Sequence, residues 1–248
     1  MTSRAALLVA SLAATAASMP LAPATPLTPR DVIGHDEVVA LPETIPSGTI
    51  GDVYRAYLPY LAVDDGCVPY PAVDAEGNTS DGLNPTGASN GGCSSSTGQI
   101  YARSTMADGL DATYGAAIMY SWYFPKDSPS TGLGHRHDWE GVIVYLSDGA
   151  ATTAENVLAV CPSAHGDWNC STDEFSLSDT HPLIRYFNIW PVNHQLGLTD
   201  EVGGSQPLVT WEAVSDVVRG ALEDTDFGSA TVPFKEATFG GNLAEATY

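Results

Sequence analysis

The sequence predicts an α+β domain: a central antiparallel β-sandwich with helices packed outside it. Three observations carry that expectation. Glycine (24) and proline (17) are plentiful among the 248 residues, which favours a turn-rich sheet fold over a helical bundle. Two runs, AAIMYSWYF at 116–124 and GVIVYL at 141–146, are apolar, β-branched and aromatic, as buried central strands are. Two other segments repeat their apolar residues at helical spacing, one early and one late in the chain.

The elements follow in order. Residues 1–18 read as a signal peptide: Arg4 precedes an apolar run at 5–17, and small residues suited to cleavage come after. The run is too short and too rich in alanine for a membrane anchor. Residues 19–45 hold Pro, Ala and Thr with little periodicity, and are expected to be a pro-segment or a loosely held N-terminal arm. One domain is expected over 46–248. Ile50, Val53, Tyr54, Tyr57, Leu58 and Leu61 share a helical face, with Ser47 or Thr49 as the cap. Residues 64–98 read as a long loop. Beyond the two central strands, 156–160 and 183–190 (LIRYFNIW) are strand candidates. Trp211, Val214, Val217, Val218 and Leu222 mark the late helix, and Phe227, Val232, Phe234 and Phe239 fall at loop-like spacings that dock on the core.

Charge narrows the function. Thirty acidic residues stand against 9 basic ones, a net −21. Such a surface repels phosphate backbones, which excludes nucleic acid, and it repels anionic lipid; it suits divalent cations. A soluble monomer is the expected state. Four cysteines in an exported chain predict two disulfides. Three pairings are open. Cys67–Cys93 with Cys161–Cys170 is preferred, because each pair brackets a turn-rich segment. A zinc site is the rival, but no C-x-x-C pair exists. Asn78-Thr79-Ser80 and Asn169-Cys170-Ser171 are glycosylation sequons.

The chemistry concentrates between the two central strands, in Gly134-His135-Arg136-His137-Asp138-Trp139-Glu140. If the strands pair as a hairpin, Asp127 and His135 face each other across the loop base. Asp138 and Glu140, two apart, point to one side. His135 has the other parity and joins them only if the backbone turns near Arg136-His137, which Gly134 makes easy. Asp127, His135, Asp138 and Glu140 then converge. Three carboxylates and one imidazole suit Mg²⁺, Ca²⁺ or Mn²⁺ better than Zn²⁺. Arg136 and His137 are assigned to the shell around those ligands, and Trp139 to the core. Two weaker candidates remain. Ser163-Ala164-His165-Gly166-Asp167-Trp168 lies in the Cys161–Cys170 loop and suits a cleft wall. Trp190-Pro191-Val192-Asn193-His194 ends a strand with the kit of a sugar-binding loop, and a structural histidine is its plain alternative. A P-loop, G-x-G-x-x-G and H-E-x-x-H are all missing.

These residues resemble the necrosis- and ethylene-inducing peptide-like proteins, secreted by plant-associated microbes. The heptapeptide GHRHDWE at 134–140 is that family's hallmark; AIMYSWYFPKDSP at 117–129 and GNTSDGLNPTGASNGGC at 77–93 also match its pattern. The resemblance spans 48–248. It implies a β-sandwich flanked by helices, akin to actinoporins and lectins, with Mg²⁺ or Ca²⁺ held at Asp127, His135, Asp138 and Glu140. It further implies a non-enzymatic cytolysin that recognises glycosylinositol phosphorylceramide head groups on plant plasma membranes, causing necrosis and immune responses. The loop Trp190, Asn193, His194 falls where the family contacts sugar. The extra pair Cys161 and Cys170 departs from the commonest one-disulfide pattern. Two alternatives stand beside this reading: a non-cytolytic carbohydrate-binding member, and a secreted metal-dependent polysaccharide hydrolase or lyase.

Overall fold

The two apolar runs form the longest strands of the computed structural model, which describes residues 30–108, 115–191 and 193–248. The signal peptide and residues 19–29 of the arm lie outside the described residues. In chain order the elements are β1 (Val32–Ile33), α1 (Thr49–Ala56), β2 (Tyr60–Val63), β3 (Thr79–Ser80), β4 (Ile100–Ser104), α2 (Thr105–Asp108), β5 (Ala116–Asp127), β6 (His135–Leu146), β7 (Val157–Ala164), β8 (Asp167–Trp168), β9 (Leu177–Ser178), β10 (His181–Ile189), β11 (Asn193–Leu198), β12 (Leu208–Thr210), α3 (Asp216–Asp224) and α4 (Phe239–Glu245).

One sheet has the order β12-β4-β5-β6-β7-β8; the other has β11-β10-β2, with β9 beside β10. Pairing is mostly antiparallel, as expected, with parallel neighbours at β12–β4 and β10–β2 and in the separate two-stranded pair β1–β3. β5 is buried along its whole length because both of its faces are covered. On one face Phe124 stacks on Tyr186 of β10, with centroids 3.9 Å apart. On the other, Tyr123 and Trp139 pack against Phe227, and Trp139 also meets Phe234 of the C-terminal segment. Trp139 is therefore a core residue, as its parity suggested.

Several boundaries differ from the sequence reading. Helix α1 stops at Ala56, and Leu61 belongs to β2; Gly48 (φ 77) precedes the helix, and neither Ser47 nor Thr49 caps it. The late helix begins only at Asp216, where the Ser215 side chain accepts from the Val218 N–H; Trp211 and Val214 come before it. Phe239 opens α4, within a stretch expected to be loop. The arm is not loose from Arg30 on. β1 pairs with β3, Val38 and Leu41 are buried, and Thr44 exchanges backbone hydrogen bonds with the β12 strand. Ladder bonds replace the hydrophobic periodicity that the segment lacks.

The disulfides are Cys67–Cys93 and Cys161–Cys170, separated by 26 and 9 residues. Loop-closure entropy assigns about 3.5 kcal/mol to the first and about 2.7 kcal/mol to the second. Guanidinium unfolding of Cys67→Ala/Cys93→Ala and Cys161→Ala/Cys170→Ala should therefore show the larger loss for the first pair. A reversed order would contradict the loop-closure account.

Candidate functional site

The hairpin β5–β6 places the candidate ligands. Its register sets Asp127 opposite His135, Phe124 opposite Asp138 and Trp122 opposite Glu140. Between these pairs the ladder is interrupted at His137, which adopts φ 60, the left-handed region. That residue makes the parity switch that brings His135 to the side of Asp138 and Glu140. Gly134 (φ 97) closes the loop base so tightly that a Cβ there would lie 2.2 Å from the Asp127 carbonyl oxygen.

Each acid is buried and held by a neighbour. Asp127 accepts from the His194 backbone N–H at 3.2 Å, and its Oδ1 lies 2.6 Å from His194 Nδ1. Asp138 Oδ2 accepts from the Tyr186 hydroxyl at 2.9 Å. Glu140 accepts from Ser163 Oγ, which in turn accepts from the Gly141 N–H at 2.9 Å. His135 Nδ1 lies 2.7 Å from the His137 carbonyl oxygen, so Nδ1 carries the proton and donates. In the neutral ring the Nε2 lone pair then points toward Asp127, whose Oδ2 is 3.7 Å away.

Electrostatics bind these groups into one site. Burial first, then the charge of Asp127, pushes Asp138 up to about 7. Burial and then Asp138 push Glu140 well above the carboxylate range. Among the described residues no group of three or more His, Cys, Asp or Glu side chains is placed to hold a metal ion. The donor chemistry nevertheless fits a hard divalent cation: three buried carboxylates repel one another, and His135 offers a nitrogen whose tautomer is fixed.

Arg136 and His137 are corrected by the structure. Neither side chain surrounds the acids. Arg136 reaches away to the Asp81 carbonyl (2.5 Å) and Asn84 Oδ1 (2.6 Å). The His137 ring lies on the opposite face, 2.6 Å from the Tyr123 hydroxyl and edge-on to Phe227. Burial, then the Arg136 charge, presses its pKa down to about 4. His137 serves the site through its carbonyl, which orients His135.

The sugar-loop candidates separate. Trp190 is 74% exposed at the tip between β10 and β11, Asn193 lines the cleft, and His194 is 1% exposed beneath Asp127. His194 cannot touch a head group there, because β11 turns it inward, stacked on Tyr186. Ser163 lies in the cleft wall, as the segment 163–168 was expected to, whereas Tyr186 and Asp65 were not expected at the site. Asp65 lies 3.7 Å from His194 Nε2 and is itself held by Ser89 Oγ at 2.6 Å. No local pattern marks Asp65 or Tyr186; their roles exist only once β2 and β10 pair. His135, Asp138 and Glu140 line a cleft of about 440 Å³ together with His165, Asp167, Trp168 and Asn242, while Asp127 is buried behind it.

This architecture has close relatives. The model of the family described as necrosis inducing protein (NPP1) matches residues 51–246. NLP effector protein 10 of Phytophthora capsici is 46% identical over 221 residues, covering 88% of this chain and 92% of its own. The solved structure of NLPPya in complex with mannosamine matches with a TM-score of 0.80 at 43% identity, covering 88% of this chain and 99% of that one; its complex with glucosamine scores 0.79 at the same identity and coverage. A structure of the non-toxic HaNLP3 protein scores 0.78 at 37% identity, covering 86% and 98%. With these matches across the domain that carries the hairpin and its cleft, the chain belongs to the necrosis inducing protein (NPP1) family.

Proposed function

We propose that this protein is a secreted, metal-dependent cytolysin that binds glycosylinositol phosphorylceramide head groups on plant plasma membranes and acts without chemical turnover. The observation that carries the reading is that His135, Asp138 and Glu140 line an open cleft with Asp127 buried beside His135. Those four residues would hold Mg²⁺ or Ca²⁺, with Mn²⁺ next. The cation would supply positive charge and open coordination positions for sugar hydroxyls. Asn193 adds directional hydrogen bonding beside it. Trp190, with exposed Ile189 and Leu133, gives the same end of the molecule an apolar edge suited to a membrane interface. The amino-sugar complexes of NLPPya support a sugar as ligand.

A net charge of −21 opposes approach to a phosphate-bearing head group, so binding should depend on the cation and general adsorption should be negligible. Dye-loaded vesicles containing the plant sphingolipid should leak in Mg²⁺ or Ca²⁺, stay intact in excess chelator, and stay intact when the lipid is omitted. Vesicle binding that persists in chelator at neutral pH would reject the cation-dependent reading. Binding without leakage would favour a non-cytolytic carbohydrate-binding protein, a reading that the fold shared with HaNLP3 supports. Release of reducing ends from plant polysaccharide would favour the hydrolase or lyase.

A further inference from the structure

The acid end of the cleft occupies only part of it. Strand β7 keeps its ladder with β6 as far as Val142 opposite Pro162, then folds back on β8. The flank of β6 at 138–141 is thereby left without a neighbouring strand, and the cleft lies along it. Its far wall is the β7–β8 hairpin, carrying His165, Asp167 and Trp168, and its other side is the C-terminal segment with Thr231 and Asn242.

The Trp168 indole is built into that wall. Gly141 has no side chain, and a Cβ there would lie 3.2 Å from Trp168 Cη2, so the bare backbone lets the indole lie against β6. The hairpin is closed by Cys161–Cys170 and by the Asn169 N–H to Pro162 carbonyl bond at 2.9 Å. Trp168 is half-buried, backed by the core and bordering the cleft. Ser163 joins the two ends, since it bonds Glu140 from the strand that leads into this hairpin. Trp190, by contrast, is not part of the cleft wall. A volume of about 440 Å³ exceeds what one sugar ring fills and falls within the ordinary range of ligand pockets.

We propose that the far end of the cleft is a second glycan subsite, with the Trp168 indole as the platform for a pyranose ring and His165, Asp167 and Asn242 as its polar partners. An indole face matches the C–H face of a pyranose, and the surrounding acceptors match its hydroxyls. This rests on the reading that a sugar sits at the acid end. It adds that the recognised glycan has at least two sugar units, and it gives the second disulfide a task, that of fixing the wall. The glycan is either a lipid head group or a soluble oligosaccharide.

The parent protein, labelled with 5-fluorotryptophan and kept in Mg²⁺, is titrated with glucosamine and with its β-1,4-linked dimer. A second arm uses vesicles containing the plant sphingolipid, before and after an exoglycosidase removes the terminal sugar. Trp168→Phe assigns the resonance. A two-sugar ligand should shift the Trp168 signal and bind about tenfold tighter than the one-sugar form, as one aromatic contact would give. Trp168→Ala should erase that advantage and Trp168→Phe should restore part of it. A response to the free dimer identifies a soluble glycan as sufficient; a response to untrimmed vesicles alone identifies the lipid head group. Glucosamine binding with an unmoved Trp168 signal in both arms overturns this proposal alone. No sugar binding in either arm overturns the head-group reading and this proposal together.

Discussion

Replacing Asp127 by asparagine is expected to abolish cation binding while leaving the metal-free protein as stable as the parent. Asp127 is buried and faces His135 across the hairpin base, and its charge helps to push Asp138 up. Asparagine keeps the size and an acceptor for the His194 N–H, so the packing is preserved. It removes the charge that pushes Asp138 up, which relieves repulsion in the empty site and removes attraction in the loaded one. Even partners outside the ligand set are worth roughly 10–100-fold in affinity, so a loss of about 100-fold or more is expected for a ligand itself. Calorimetric titration with Mg²⁺ measures it. Thermal unfolding gives the control: Mg²⁺ at about 100 times its Kd should stabilise the parent by about 2.7 kcal/mol and leave Asp127→Asn unmoved. Unchanged affinity in the variant would remove Asp127 from the site.

The central part of this molecule was legible because its signals are local. The runs at 116–124 and 141–146 are long, apolar and bounded by turn residues, and they became β5 and β6 with the register the loop length implied. The approach of His135 to Asp127, and of Asp127 to Asp138, follows from that register and from one irregularity. The sequence places that irregularity near Arg136-His137, and the structure locates it at His137. Short pieces were not legible. β4, β11 and β12 have few residues and weak alternation, and they become strands only because neighbouring strands offer them ladder bonds. Long-range partners were invisible for the same reason. His194 carries the same residue type whether it faces a ligand or Asp127, and only the pairing of β10 with β11 decides between them. The stretch 77–93 falls in the segment 64–98 that reads as a long loop. It packs on the hairpin: Arg136 reaches Asp81 and Asn84, buried Lys126 donates to the Thr86 and Ala88 carbonyls, and a Cβ at Gly82 would meet the His137 ring at 2.7 Å. The two motifs are one structural unit.

The second large effect concerns Gly134, where backbone geometry and ligand placement meet. Gly134→Ala should weaken Mg²⁺ binding as severely as Asp127→Asn and, unlike that change, should also destabilise the protein. Two causes add. A residue with a Cβ at φ 97 is strained by about 1–3 kcal/mol whatever the surrounding space. The new Cβ would also lie 2.2 Å from the Asp127 carbonyl oxygen and 2.9 Å from its carbonyl carbon. These are backbone atoms in a buried strand, so the clash can be relieved only by moving Asp127 away from His135. Gly132 separates the two causes. It has φ 83 and nothing within 4 Å of its would-be Cβ. Gly132→Ala should therefore lose stability of about 1–3 kcal/mol through strain alone and keep the Mg²⁺ affinity of the parent. Denaturant unfolding and calorimetric titration of the two variants side by side measure both quantities. Equal Mg²⁺ affinity in Gly134→Ala and Gly132→Ala would show that the close approach at Gly134 does not position Asp127.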